Sequence, residues 1–238
     1  MEHRMHLTPR LRTIMDMIPQ GAQLADIGTD HALLPVALLR RRRIASAIAS
    51  DIGEGPLESA ARTMRQFGCQ EHVSLRLGVG LTTTKPEEAD TIVIAGMGGE
   101  TIVGILRQDA WALDGAHLLL LQAMTGQAEL RQYLTAHGGV IEQEAICREG
   151  RRYYTILAVR GGGKPMSQSL AESTLSAPLC QDPLAQEYLT VQLDKERRIC
   201  AALESANKQR PEELERCRST IRVLEQALEK LSAGIEKG

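Results

Sequence analysis

The chain has 238 residues, is 43% hydrophobic, and carries 28 Lys and Arg against 30 Asp and Glu. That length accommodates one large domain or a domain with an appendage, and the net charge of −2 neither demands nor excludes a nucleic-acid partner. Aromatics at 3% imply an aliphatic core and argue against a broad stacking platform for single strands.

Residues 7–18 place Leu7, Leu11, Ile14, Met15 and Ile18 at helical spacing, and Pro19-Gln20-Gly21 ends the run. Short apolar runs at 23–28, 45–52, 73–77, 91–95, 118–122, 140–146 and 153–159 read as strands. Amphipathic helices are predicted over 31–42, 54–67, 99–109 and 127–137. This alternation means a mostly parallel sheet with helices on both faces. The last two runs are joined by a short turn and read as an antiparallel addition at the sheet edge.

Gly161-Gly162-Gly163-Lys164-Pro165 breaks the composition and opens a Ser-rich stretch, so the boundary is placed between 1–163 and 164–238. Two long helices follow, divided before Pro211. The second carries Leu214, Cys217, Ile221, Leu224, Leu228 and Leu231, alternating three and four apart. An antiparallel helical hairpin is expected, with a homodimeric coiled coil as the alternative and a monomer favoured. Five cysteines with no Cys-x-x-Cys pair argue against a disulfide framework or a zinc site. The scattered histidines give no metal-ligand spacing. No apolar run has signal-peptide or membrane-spanning character, so a cytoplasmic protein is expected, with no membrane partner.

Three motifs carry chemistry. In Leu24-Ala25-Asp26-Ile27-Gly28-Thr29-Asp30-His31 a buried strand runs into Asp, Gly and a helix. Ligands of open α/β folds sit at such strand ends, and Gly28 lets backbone approach the ligand closely. Asp26 suits a cationic ligand such as the methionine part of S-adenosylmethionine (SAM), and suits a pyrophosphate poorly. Gly-x-Gly-x-x-Gly is also missing, which argues against a dinucleotide. The plainer alternative makes Asp26 and Asp30 loop and cap residues. Asp51 ends the next strand, where a carboxylate accepts from ribose hydroxyls. Gly96-Met97-Gly98-Gly99 after the fourth strand lets a transferred group and its acceptor lie against bare backbone. Arg40, Arg41, Arg42 and Arg43, with Arg10, Arg12, Arg148, Arg151 and Arg152, form a phosphate-binding candidate or, equally, a cation-rich helix end.

In order along the whole chain, Asp26-Ile27-Gly28-Thr29-Asp30-His31-Ala32, Gly53-Glu54-Gly55-Pro56, Ile94-Ala95-Gly96-Met97-Gly98-Gly99 and the helical C-terminus resemble the bacterial TrmK-like tRNA (adenine(22)-N1)-methyltransferases. The resemblance implies a class I SAM-dependent methyltransferase core, Rossmann-like, with a coiled-coil-like C-terminal domain. It implies methyl transfer from SAM to adenine N1 in the tRNA D-arm, with S-adenosylhomocysteine as product. Asp26 and Gly28 would lie by the methionine moiety, Asp51 by the ribose and Asp30 by the transfer site as the catalytic residue. Thr29, His31, Ile52, Val79, Gly80, Ala95, Gly96 and Met97 would complete the cofactor contacts. Gly98, Gly99, Tyr154, Arg10, Arg41 and Arg42 would meet the tRNA. Val79 replaces a family Asp or Asn that would bind the adenine amine. Gln122-Ala123 departs from Leu-Gln-Pro at Ala123, and Thr155 stands where Glu is common. A methyltransferase acting on another acceptor and a non-catalytic scaffold are the competing readings.

Overall fold

The computed structural model describes residues 5–206 and 210–235; residues 1–4 and 236–238, at the ends of the two expected units, and residues 207–209, in the break expected between the last helices, lie outside the described residues. Seven strands, β1 (Leu24–Ile27), β2 (Ala47–Asp51), β3 (Val73–Leu77), β4 (Thr91–Gly98), β5 (Leu118–Thr125), β6 (Val140–Glu149) and β7 (Arg152–Arg160), form one sheet in the order β3-β2-β1-β4-β5-β7-β6. Strands β1 to β5 are parallel, and β7 runs antiparallel to both β5 and β6. The order reverses between β1 and β4, so the crevice at their carboxyl ends is the topological switch point.

Helices α1 (Pro9–Met17), α2 (Leu33–Arg40), α3 (Glu54–Phe67), α4 (Gly99–Gln108) and α5 (Gln127–Ala136) flank the sheet. Buried β-branched and Leu side chains point to both faces of the central strands, as two-sided burial requires. On one face Ile92, Ile94, Leu119 and Leu121 pack with Ile102 and Leu106 of α4 and Leu130 and Leu134 of α5. On the other, Val93, Leu118 and Leu120 pack with Ile14 and Met15 of α1 and Leu34 and Leu38 of α2. Each such side chain contributes about 1.5–3 kcal/mol by leaving water. Local signals set the ends: Thr8 Oγ1 accepts from Leu11 N at 3.3 Å ahead of Pro9, and Gly68, at φ 66°, closes α3.

Several boundaries differ from the sequence reading, two of them at the motifs that carry chemistry. The helix predicted from residue 31 starts at Leu33, because Gly28, Asp30 and Ala32 all have positive φ. The strand predicted to end at Ala95 continues to Gly98. The glycine run there is a bulged extension paired with β5, with register shifts at Ala95/Met97 and Met97/Gly98.

After β7 the chain runs along α5 and β6. Met166 N donates to Thr135 O at 2.9 Å, and Ile146 N donates to Asp182 Oδ2 at 2.9 Å. Helices α6 (Ala185–Ser205) and α7 (Pro211–Ile235) then form the antiparallel hairpin, bridged by Arg197–Glu225 and Arg218–Glu204. Leu224 and Ala227 of α7 share a core with Leu189 and Leu193 of α6 and with Ile146 of β6. The apolar seam is therefore covered by the chain's own hairpin and sheet edge. Among the described residues no helix is long and apolar enough to cross a membrane.

Candidate active site

Asp26 sits in β1 between β2 and β4, and is 7% exposed. Burial raises its carboxyl from 3.8 to about 6, with the Asp51 charge adding to the effect; the Thr29 hydroxyl, donating to Oδ2 at 2.6 Å, opposes it. A buried carboxylate with one neutral donor and no cation is undersatisfied, and a positively charged ligand would relieve it. Thr29, expected at the cofactor, turns its hydroxyl inward and holds Asp26 instead. Beside it, Gly28 N and Thr29 N donate to Ser50 O at 2.8 and 3.0 Å, which ties the turn to β2. Gly28 has φ 75°, and a Cβ there would lie 2.3 Å from Met97 Cε, so only glycine fits between β1 and β4.

Asp51 closes β2. Its Oδ1 accepts from Gly53 N at 3.0 Å and its Oδ2 from Asp30 N at 3.4 Å. The two oxygens are held at the rim by backbone, each with a lone pair to spare for a hydroxyl donor. Asp30 projects outward with its side chain 69% exposed, and His31 Nε2 lies 3.5 Å from its Oδ2. Farther along the same strand ends, Ile52, Leu77 and Val79 expose large apolar side chains to solvent. Val79 does not plug the surface, and its carbonyl is taken by Thr82 N and Oγ1. The Ser50 hydroxyl is buried without a partner.

On the β4 side, Met97 reaches the β1 turn with its Cε against Gly28, and Gly98 caps α4. Gly96 has φ 79°, and its N–H donates to Gln122 Oε1 at 3.1 Å. Arg10 reaches the same place from α1: Nη1 donates to Gln122 Oε1 at 3.1 Å, and its guanidinium lies over the Tyr154 ring, 5.3 Å from the centroid. Gln122 was not among the expected site residues. Its signal was available, since an amide ending the run Leu118-Leu119-Leu120-Leu121 is costly to bury unless hydrogen bonds use it.

Four expected residues are placed elsewhere. Gly80 is buried, and a Cβ there would meet Ile105 of α4 at 3.1 Å. Gly99 is buried against the Gly126 carbonyl, where a Cβ would come within 2.2 Å; it permits close approach of α4 to the β5–α5 turn and offers no substrate surface. Arg41 and Arg42 lie at the end of α2, which returns the chain to the amino end of the strands, across the sheet from Asp26. Arg41 Nη1 donates back to the Ala37 carbonyl of α2, and Arg43 donates to the Ile18 carbonyl. Half the run thus satisfies helix-end and loop carbonyls. In contrast, the β6–β7 turn with Arg151 and Arg152 lies at the carboxyl end of β5, on the same side as the crevice, because β7 is antiparallel to β5.

These features fit SAM: an unpaired buried carboxylate for its cationic part, a two-oxygen acceptor at the second strand end, and an exposed apolar shelf beyond it. Among the described residues no cluster of three or more His, Cys, Asp or Glu is arranged to hold a metal.

Residues 7–157 match a family described as a methyltransferase domain. The chain is 36% identical over 196 residues to the tRNA (adenine(22)-N(1))-methyltransferase of Bacillus subtilis, covering 81% of each. It superposes on the crystal structure of the B. subtilis m1A22 tRNA methyltransferase TrmK with a TM-score of 0.82 at 29% identity, over 94% of this chain and 100% of that one. A Streptococcus pneumoniae protein, a putative tRNA (m1A22) methyltransferase crystallised with SAM, gives a TM-score of 0.80 at 31% identity over the same shares. With the sheet order, the acidic strand ends and the bulged glycine strand all in place, the chain belongs to the tRNA (adenine(22)-N(1))-methyltransferase family.

Proposed function

We propose that this protein transfers the methyl group of SAM to N1 of adenine 22 in the D-arm of tRNA, releasing S-adenosylhomocysteine. The observation that carries this is the convergence of Asp26, Asp51 and the Gly96 bulge on one crevice at the β1/β4 switch point. When bound, SAM supplies a methyl group on a sulfonium, an electrophile for the N1 lone pair. N1 already has that lone pair free, so no strong base is needed and positioning supplies most of the catalysis. Asp26 offers charge to the cationic end of the cofactor, Asp51 accepts from its ribose, and Ile52 and Val79 shelve its base. His31 stands at the rim beside Asp30. Asp30 is exposed towards the acceptor side, where its carboxylate accepts from the exocyclic amine and stabilises the cationic product base. Because a paired adenine engages N1, the target nucleotide is unpaired before it enters. Arg10, Tyr154 and Gly98 form the acceptor side, and the Arg151–Arg152 turn faces the phosphates around it. A cytosolic site of action goes with a tRNA substrate, and the self-covered seam of α6 and α7 favours a monomer.

The test is transfer from labelled SAM to unmodified tRNA transcripts, with the modified base mapped. One N1-methyladenine in the D-arm is expected. Asp30→Ala should lower kcat by about 10²-fold while SAM still binds in a calorimeter. Full activity of Asp30→Ala would remove its assigned role, and methyl transfer to some other acceptor would sink the substrate assignment.

A further inference from the structure

Gln122 is fully buried at the carboxyl end of β5, and the chemistry above makes no use of it. Its Oε1 accepts two hydrogen bonds of 3.1 Å, from Gly96 N and from Arg10 Nη1. Its Nε2 donates to the Ala123 carbonyl at 2.9 Å, which fixes the orientation of the amide. One side chain therefore joins the bulge of β4 to a guanidinium delivered from α1. Arg10 is also held by Met124 Sδ at 3.0 Å and by the Tyr154 ring, while its backbone N–H donates to Glu149 Oε1 at 2.8 Å. Its Nε is buried and has no partner, an unspent donor at the acceptor side of the crevice. Gly96 lies directly under this guanidinium: a Cβ there would be 4.0 Å from Nη1.

We infer that Gln122 is a positioning residue for methyl transfer, setting both the Gly96 bulge and the Arg10 guanidinium that together bound the target base. The inference rests on the methyltransferase reading above. Removing the amide leaves the Gly96 N–H unpaired and returns rotamer freedom to Arg10 at the place where the base must be aligned. Displacements of about 1 Å at such a place cost about 10²-fold in rate. Gln122 makes no hydrogen bond to Asp26 or Asp51, so the change reaches the cofactor only through the Gly96 bulge and should slow methyl transfer far more than it weakens SAM binding.

The experiment compares Gln122→Met, which preserves length and removes the hydrogen bonds, with Gln122→Glu, which keeps an acceptor for both donors. Each is assayed for kcat and tRNA KM, SAM affinity by calorimetry, and thermal melting. Gln122→Met is expected to lower kcat at least about tenfold with SAM affinity within about twofold, and Gln122→Glu to recover most of the loss. The double variant Arg10→Ala/Gln122→Met should fall no further than the worse single variant, because the two residues act as one unit. Three results overturn the inference: Gln122→Met with a kcat within about twofold of wild type, SAM binding lost in parallel with activity, or losses that multiply in the double variant. A wild-type chain that makes no N1-methyladenine would instead overturn the functional reading, and this inference with it.

Discussion

At Asp26 a single carboxyl links stability to ligand binding. Its carboxyl is raised from 3.8 to about 6, so the unfolded chain ionises before the folded one. Stability from this group is fully present below pH 3.8, is lost as pH rises through about 6, and changes no further above that. Asp26→Asn keeps an acceptor for Thr29 and removes the buried charge, so at pH 7.5 the ligand-free variant should gain about 1–3 kcal/mol in urea denaturation, with no gain at pH 3. The same variant should bind SAM at least about tenfold more weakly, and wild-type affinity should fall as pH drops below about 6. An Asp26→Asn protein that is both less stable and an unimpaired binder would refute the role assigned to this carboxylate. Asp26 and Asp51 stand out in the sequence because an acidic residue in or at the end of an apolar strand has few structural reasons to be there. What the sequence did not show at Thr29 is one geometric fact: its hydroxyl points back to Asp26.

At the scale of elements, glycines gave the least transferable signal. The four residues Gly96-Met97-Gly98-Gly99 look uniform in sequence, yet Gly96 lies by the Arg10 guanidinium and Gly99 against the Gly126 backbone. Their difference arises from tertiary approach, which no local pattern encodes. Gly99→Ala would place a Cβ 2.2 Å from Gly126 O and 2.9 Å from Thr125 O, and neither backbone atom can easily move. We expect a loss of about 2–4 kcal/mol. Gly104, in the same helix, has nothing within 4 Å of its Cβ position, so Gly104→Ala should instead stabilise by about 0.5–1 kcal/mol. Thermal melts of both variants read the contrast, and equal shifts would contradict the packing assigned to Gly99. Topology alone sets where the arginine run lies. A helix following β1 must return to the amino end of the sheet before β2, so cations at its end cannot line the crevice at the carboxyl end.

For the molecule as a whole, the composition break at residues 161–165 suggested a domain boundary, and a Ser-rich stretch reads the same whether it is free or docked. The structure docks it through a buried polar centre. Arg131 of α5 and Glu144 of β6, 2% and 3% exposed, form an ion pair, with Nε to Oε2 at 3.1 Å. Arg131 Nη1 also donates to the carbonyls of Thr174 and Ser173 at 3.1 and 3.4 Å, and Ser176 Oγ donates to Glu144 Oε2 at 2.6 Å. Charge and hydrogen bonds thus fasten the segment leading to the hairpin onto the methyltransferase core. Glu144→Leu would leave a guanidinium buried beside neutral partners, the Ser173 and Thr174 carbonyls and Tyr188, and should cost about 3–5 kcal/mol. Arg131→Met combined with Glu144→Leu removes both charges and should regain most of that loss. It should not regain all of it, because the carbonyls of Ser173 and Thr174 then lose their donor, at about 1–3 kcal/mol. Urea denaturation measures the three variants, and limited proteolysis across residues 164–184 reports whether the segment has lifted. If the pin works as the geometry indicates, Glu144→Leu is cut there first while still binding SAM, since the crevice lies on strand ends that Glu144 does not touch. A double variant as unstable as Glu144→Leu would show that the backbone contacts of Arg131, and not its pairing with Glu144, hold the two parts together.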